Sequence, residues 1–291
     1  MAANGAQNVK KAQEQEFGLG KQWTENIVNA MGPQTNPRMR EILSSLIRHV
    51  HDFAREVDLT VDEWLAGVNF INEAGQMSDA KRNEGQIVCN IIGLESLVDA
   101  ITYEKAMDPS STVTASAVLG PFFRHDHPIQ ENSASIHITR APDAVDVYFY
   151  GRVTDGRTGE PLANATVDVW QASTNGFYEQ QDPDQIEHNL RGQFITDTRG
   201  EYAFYCIKPT PYPISYDGPG GKLLQLMDRH PYRPGHIHLM VRKDDYEPVT
   251  TQIYNAENKY LDDDSVFAVK DSLVVKFVPR ANDAKAKLEL K

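Results

Sequence analysis

Near residue 125 the spacing of the apolar residues changes, and that change limits this chain to a helical part followed by a sheet-forming part. Between Pro37 and Tyr103 they recur at about 3.6 residues, the helix period. Met39, Ile42, Leu43, Leu46, Ile47, Val50, Phe53, Ala54 and Val57 make one stripe. Thr60 and Glu63 form a capping box, which starts a second helix carrying Trp64, Leu65, Val68, Phe70 and Ile71. A third helix is expected from about Asp79 to Ala106, with Gly85 leaving its start open. After Pro121 the period is about 2, the strand period. Strands are expected at 145–153, 165–170, 192–196, 201–207, 237–242, 249–253 and 273–278, separated by Gly- and Pro-rich turns. Short strands at this spacing indicate an antiparallel β-sandwich. The expected fold is therefore α+β, with a helical N-terminal and linker domain over 1–125 and a β-sandwich over 126–291.

Charge and cysteine content exclude several function classes. The formal net charge is −12, and the chain has no long basic run, so a nucleic acid is a poor partner. Cys89 and Cys206 form neither a disulfide framework nor a CxxC pair. The opening MAANGAQNVKKAQEQEF lacks the apolar core of a secretory signal. No stretch approaches the ~18–20 apolar residues of a membrane span. The expectation is a soluble, cytoplasmic protein without membrane insertion.

Two features carry chemistry. In His236-Ile237-His238 on a strand, both imidazoles project to one face while Ile237 faces the core. The approach Arg233-Pro234-Gly235 is conformationally fixed, and it places a guanidinium three residues before the first histidine. HxH alone is also a common structural pattern. The second feature is tyrosine in two punctuated loops: Tyr178 after Asn175-Gly176-Phe177, and Tyr212 between Pro211 and Pro213. Such tyrosines can simply cap a core. Two phenolates with two imidazoles, however, are a hard, anionic donor set that suits Fe(III), whereas two histidines and one carboxylate suit Fe(II).

The runs Gly151-Arg152-Val153-Thr154-Asp155, Ala165-Thr166-Val167-Asp168-Val169-Trp170-Gln171-Ala172, Asn175-Gly176-Phe177-Tyr178, Leu190-Arg191-Gly192 and Arg233-Pro234-Gly235-His236-Ile237-His238 together resemble the metal domain of intradiol ring-cleaving dioxygenases. The helical N-terminal part resembles the catechol and hydroxyquinol branch. Pro211-Tyr212-Pro213-Ile214, Asp217-Gly218-Pro219-Gly220-Gly221 and Leu119-Gly120-Pro121-Phe122-Phe123 are closer to hydroxyquinol 1,2-dioxygenases, whereas Ser215-Tyr216 departs from their usual form.

That resemblance implies one Fe(III) per subunit on Tyr178, Tyr212, His236 and His238, a small aromatic diol or triol substrate, and O2. It implies that Tyr212 leaves the metal when substrate binds, that Arg233 stabilises negative charge on the ring, and that Gln252 orients substrate or solvent. Leu97, Asp99, Leu119, Gly120, Pro121, Phe122, Pro213 and Ile214 would line the cleft, with Asp99 placed to bind the third hydroxyl of hydroxyquinol. The N-terminal helices would pair two subunits. The expected reaction is cleavage of hydroxyquinol to 3-hydroxy-cis,cis-muconate (maleylacetate), with catechol to cis,cis-muconate as the alternative. Two rivals of other classes are a metal-free transthyretin-like binding module, which shares the Gly-Arg-Val-Thr-Asp pattern, and a zinc hydrolase built on HxH, which needs a carboxylate ligand that the sequence does not place beside that strand.

Overall fold

The computed structural model describes residues 20–103 and 113–280. It divides into two compact units between Phe70 and Ile71. Helices α1 (Lys21–Asn29) and α2 (Pro37–Glu56) belong to the first unit, and α3 (Val61–Met77) runs through the division. Pro37 occupies the first position of α2, and Asn36 Oδ1 accepts from the backbone N–H groups of Arg38 (2.9 Å) and Met39 (3.4 Å). The capping box before α3 forms as the sequence indicates: Thr60 N–H donates to Glu63 Oε2 (2.9 Å) and Glu63 N–H to Thr60 Oγ1 (3.3 Å). Arg48 grips Glu25 through two hydrogen bonds of 2.7 and 2.9 Å, tying α1 to α2.

In the second unit the long third helix expected from Asp79 is two helices, α4 (Glu84–Ile91) and α5 (Leu94–Tyr103), bent by 79°. Asn83 caps the start of α4 by accepting from Gln86 N–H. Gly93, at φ +72°, stops it in the left-handed region that favours glycine. The apolar residues Ile91, Ile92 and Leu94 on either side of Gly93 conceal this turn in the sequence. The expected end at Ala106 lies outside the described residues. Among the described residues no single helix is long and apolar enough to cross a membrane.

The strands follow as β1 (Asp146–Arg152), β2 (Thr166–Trp170), β3 (Arg191–Ile195), β4 (Glu201–Ile207), β5 (Tyr212–Pro213), then helix α6 (Pro219–Leu226), β6 (Tyr232–Arg233), β7 (His236–Arg242), β8 (Val249–Asn255) and β9 (Val274–Val275). The larger sheet has the order β3-β2-β7-β8-β9, antiparallel except for the parallel pair β8–β9. The smaller sheet is β1–β4, and β5–β6 form a separate two-stranded ladder. Val167, Val169, Phe194, Ile237 and Leu239 from one sheet meet Phe204 and Cys206 from the other in a buried core. Phe204 bridges the layers, with ring centroids 5.0 Å from Phe149 and 5.1 Å from Phe194. Each such side chain contributes roughly 1.5–3 kcal/mol by leaving water. The strand expected over 273–278 shortens to Val274–Val275, and the loop expected around Tyr212 contains β5.

Candidate metal centre

Strand β7 does the first part of the placement. Its alternation sends Ile237 into the core and turns His236 and His238 to the opposite face, both buried. Trp170, the cross-strand partner of His238, stacks on its ring at 4.6 Å and 9°. His236 Nδ1–H donates to the Pro234 carbonyl (2.8 Å), which leaves the lone pair on Nε2. Burial, and then the Arg233 charge, push the His236 pKa well below the imidazole range. Burial, His236 and Arg233 do the same to His238. Both rings are therefore neutral at physiological pH, the state in which a histidine can ligate a metal.

The tyrosines arrive on two loops that can approach only because Gly176 lies between them. At φ +86° it is in the left-handed region, and a Cβ there would sit 2.8 Å from Tyr212 Cβ. Tyr178 is locked by a stack on Phe122 at 4.5 Å. Tyr212, on β5, is paired in register with Arg233 on β6. The four donor atoms converge: Tyr178 Oη lies 3.4 Å from Tyr212 Oη and 3.1 Å from His238 Nε2, and the two Nε2 atoms are 3.1 Å apart.

This set fits a metal cation. Donors bound at about 2.0–2.2 Å, at angles between about 90° and tetrahedral, lie about 2.8–3.6 Å from one another. Burial and the Tyr212 phenol hold the Tyr178 hydroxyl well above the ordinary tyrosine range, so a phenolate there needs a cation beside it. Among the described residues no carboxylate joins the four donors, which counts against the zinc hydrolase.

Arg233 borders the cluster, with Nη1 3.2 Å from His236 Nε2. Burial is the largest single influence and opposes its charge, but Asp264, Tyr212 and Tyr254 together outweigh it and keep the guanidinium pKa well above its usual value. Gln252, expected to orient substrate or solvent, is hydrogen-bonded to Arg233. Its Oε1 accepts from Arg233 Nη2 (3.0 Å) and Tyr254 Oη (2.5 Å), and its Nε2 donates to the Val118 carbonyl (2.6 Å). Both ends of its amide are thus already occupied.

With this geometry in hand, comparison with known proteins is decisive. A family model described as "Dioxygenase" matches residues 118–291, and one described as "Catechol dioxygenase N terminus" matches 36–108. The chain belongs to the intradiol ring-cleaving dioxygenase family. It is 51% identical to a catechol 1,2-dioxygenase of Candida albicans over 89% of this chain and 84% of that protein. The solved structure of hydroxyquinol 1,2-dioxygenase from Pseudomonas putida is 38% identical at a TM-score of 0.77, covering 91% of this chain and 88% of that one. Acinetobacter radioresistens catechol 1,2-dioxygenase is 26% identical at a TM-score of 0.82, covering 94% and 89%. The metal-free binding-module reading falls with this result.

In this intradiol dioxygenase the expected cleft residues separate into two groups. Gly120, at φ +73°, passes so close to His238 that a Cβ would meet Cε1 at 3.4 Å. Leu119 and Phe122 pack with Trp170, Tyr178 and Tyr212, and Pro121 is half-buried between them. Pro213 pairs with Tyr232, and Ile214 packs on Val118, Val266 and Ala268. Leu97, by contrast, is 56% exposed on α5. Asp99 is held through one carboxylate oxygen, its Oδ2 accepting from Ser116 Oγ (2.8 Å) and Lys270 Nζ (3.0 Å).

Three contributors escaped sequence reasoning. Trp170 looks like a core residue at a strand end. Asp264 is the last of three consecutive aspartates that look like a solvated run. Arg191, buried, donates to Glu179 (2.6 Å) and to Gln180 (2.5 Å), the two residues after Tyr178. Only the Leu-Arg-Gly context hinted at Arg191, since a buried arginine has no local sequence signature.

Proposed function

We propose that this intradiol dioxygenase holds one Fe(III) per subunit on Tyr178, Tyr212, His236 and His238, and cleaves catechol with O2 between its hydroxylated carbons to give cis,cis-muconate. The observation that carries the reading is the buried meeting of two phenols and two neutral imidazoles beside a fixed guanidinium. Ferric iron bound there supplies Lewis acidity, drawing electron density from a chelated diolate and making its ring reactive toward O2.

The chain's own residues do the rest. The imidazoles stay neutral because their surroundings oppose protonation. Tyr178 is held by its Phe122 stack, so it is the permanent ligand. Tyr212, on a two-residue strand, is the one able to swing away, and its phenolate is a proton acceptor for the incoming diol. Arg233 Nη1–H faces the donor cluster and stabilises negative charge that develops on the ring, without giving up a proton.

Catechol is favoured over hydroxyquinol by the 51% identity to the Candida albicans enzyme. Hydroxyquinol is the second reading, supported by Pro211-Tyr212-Pro213-Ile214. We also propose a homodimer formed through the N-terminal helices.

The test is the visible spectrum of the iron-loaded protein, with anaerobic addition of each diol, followed by kcat/KM for each. A tyrosinate-to-Fe(III) band that moves to longer wavelength with catechol, and a higher kcat/KM for catechol, support the reading. A higher kcat/KM for hydroxyquinol moves the substrate to the second reading, and a colourless iron-loaded protein removes the ferric–phenolate site.

A further inference from the structure

We propose that Asp264 is the positioning residue of Arg233, fixing its guanidinium plane so that one edge alone faces the metal donors. The inference rests on the role assigned above to Arg233.

A guanidinium has five N–H donors in a rigid plane. Asp264 takes it side-on, Nε to Oδ1 at 3.1 Å and Nη2 to Oδ2 at 3.2 Å. Two contacts to one planar carboxylate fix the orientation of the fork, whereas the single contact from Gln252 fixes only a point. Nη2 is further engaged by Gln252 (3.0 Å) and Tyr254 Oη (3.5 Å). Nη1, 3.2 Å from His236 Nε2, is the edge directed at the site.

Asp264 is itself held in place. Its Oδ1 accepts from Val266 N–H (3.3 Å) and its Oδ2 from Ala268 N–H (3.1 Å), so both oxygens are doubly occupied. The next residue fastens this loop to the strand that carries Arg233: Ser265 N–H donates to the Tyr232 carbonyl (3.2 Å), and Ser265 Oγ donates to the Pro231 carbonyl (3.1 Å). Arg229 Nη2 adds a bond to the Ser265 carbonyl (3.0 Å). Strand, loop and carboxylate therefore form one frame around the guanidinium. Asp264 and Arg233 are each only 5% exposed. A carboxylate in this place also offsets the cost of burying the charge.

Asp264→Asn presents an NH2 group where an acceptor is needed, so the fork loses one contact and its plane is released. The experiment compares iron-loaded wild type, D264N, D264E, R233Q and the double variant R233Q/D264N in kcat, KM and resting charge-transfer spectrum. D264N is expected to lower kcat by about 10- to 100-fold, with KM changed by less than about threefold. Its resting band should stay in place, because none of the four donors is touched. D264E keeps the charge but shifts the fork, and is expected to recover part of kcat.

The double variant should be no slower than R233Q, because Asp264 acts only through Arg233. R233Q with wild-type kcat would overturn the role of Arg233 itself. R233Q slow but D264N at wild-type kcat would overturn the positioning inference alone. Losses that multiply in the double variant would also overturn it. If D264N does not fold, D264E carries the test, and wild-type kcat in D264E overturns the proposal.

Discussion

His236 and His238 show how burial keeps an imidazole in the neutral form that metal ligation requires. Their folded-state pKa values lie well below the ordinary imidazole value, with burial the leading cause. His127, buried beside Trp170, is lowered for the same leading reason. In the unfolded chain all three protonate near pH ~6.5. As pH falls through that value the unfolded state binds protons that the folded state refuses, and folding stability falls with it. Stability from these groups is thus present above about pH 6.5 and lost on acidification. The metal-free protein should lose Tm as the pH is lowered from 7 to 5, and H238N should show a shallower loss. Equal slopes in thermal denaturation would mean that His238 is not buried neutral. This buried pair was legible in the sequence because strand alternation and Pro/Gly punctuation are local signals. Asp264 was not, because only the path of its loop separates it from Asp262 and Asp263.

At the level of elements, the loop that carries Tyr212 is stapled to helix α4 by charged groups. Glu84 is fully buried and accepts from Gly220 N–H at the start of α6 (2.8 Å) and from Arg82 Nε (2.8 Å). Arg82 in turn holds Asp217 through two bonds of 2.9 and 2.8 Å, and that guanidinium keeps the Asp217 carboxyl down at about 2. The glycines of Asp217-Gly218-Pro219-Gly220-Gly221 permit this fit: a Cβ on Gly220 would meet Ile87 at 2.6 Å, and one on Gly221 would meet the Tyr216 backbone at 2.3 Å. From the sequence this motif pointed only to a branch of the family, and its mechanical use became visible once α4 was separated from α5 at Gly93. Glu84→Gln keeps the shape and removes the charge, so about 1–3 kcal/mol should be lost. That is a fall of roughly 2–4 °C in Tm for each kcal/mol. Glu84→Gln should also weaken iron retention, because Tyr212 is anchored through the same loop. A Tm within a degree of wild type, with iron content unchanged, would show that the staple is dispensable.

For the whole molecule, the stripe that opened the sequence reading becomes an argument about assembly. Met39, Ile42, Leu46, Val50 and Phe53 on α2, with Val57 at its C-cap, stand three or four residues apart, and each is between 42% and 54% exposed. No residue of α2 is buried in the chain. Apolar residues at that spacing make a seam suited to a partner helix, and water is a costly neighbour for them. A 20-residue helix is about 30 Å long, so a stripe about 10 Å wide offers roughly 300 Å². A stable interface buries about 800 Å² on each side. The stripe can therefore be only its central part. Val61, Trp64 and Leu65 at the start of α3, between 43% and 69% exposed, are the candidates to extend it. If two copies of the chain meet here, charges placed in the middle of the seam should separate them. Leu46→Lys with Phe53→Lys should convert a dimer to a monomer in sedimentation or light scattering while leaving the charge-transfer band in place, since Tyr178, Tyr212, His236 and His238, the proposed donors, all lie in the second unit. A dimer unaffected by both charges would put the subunit contact elsewhere, and wild type already monomeric at micromolar concentration would remove the homodimer altogether.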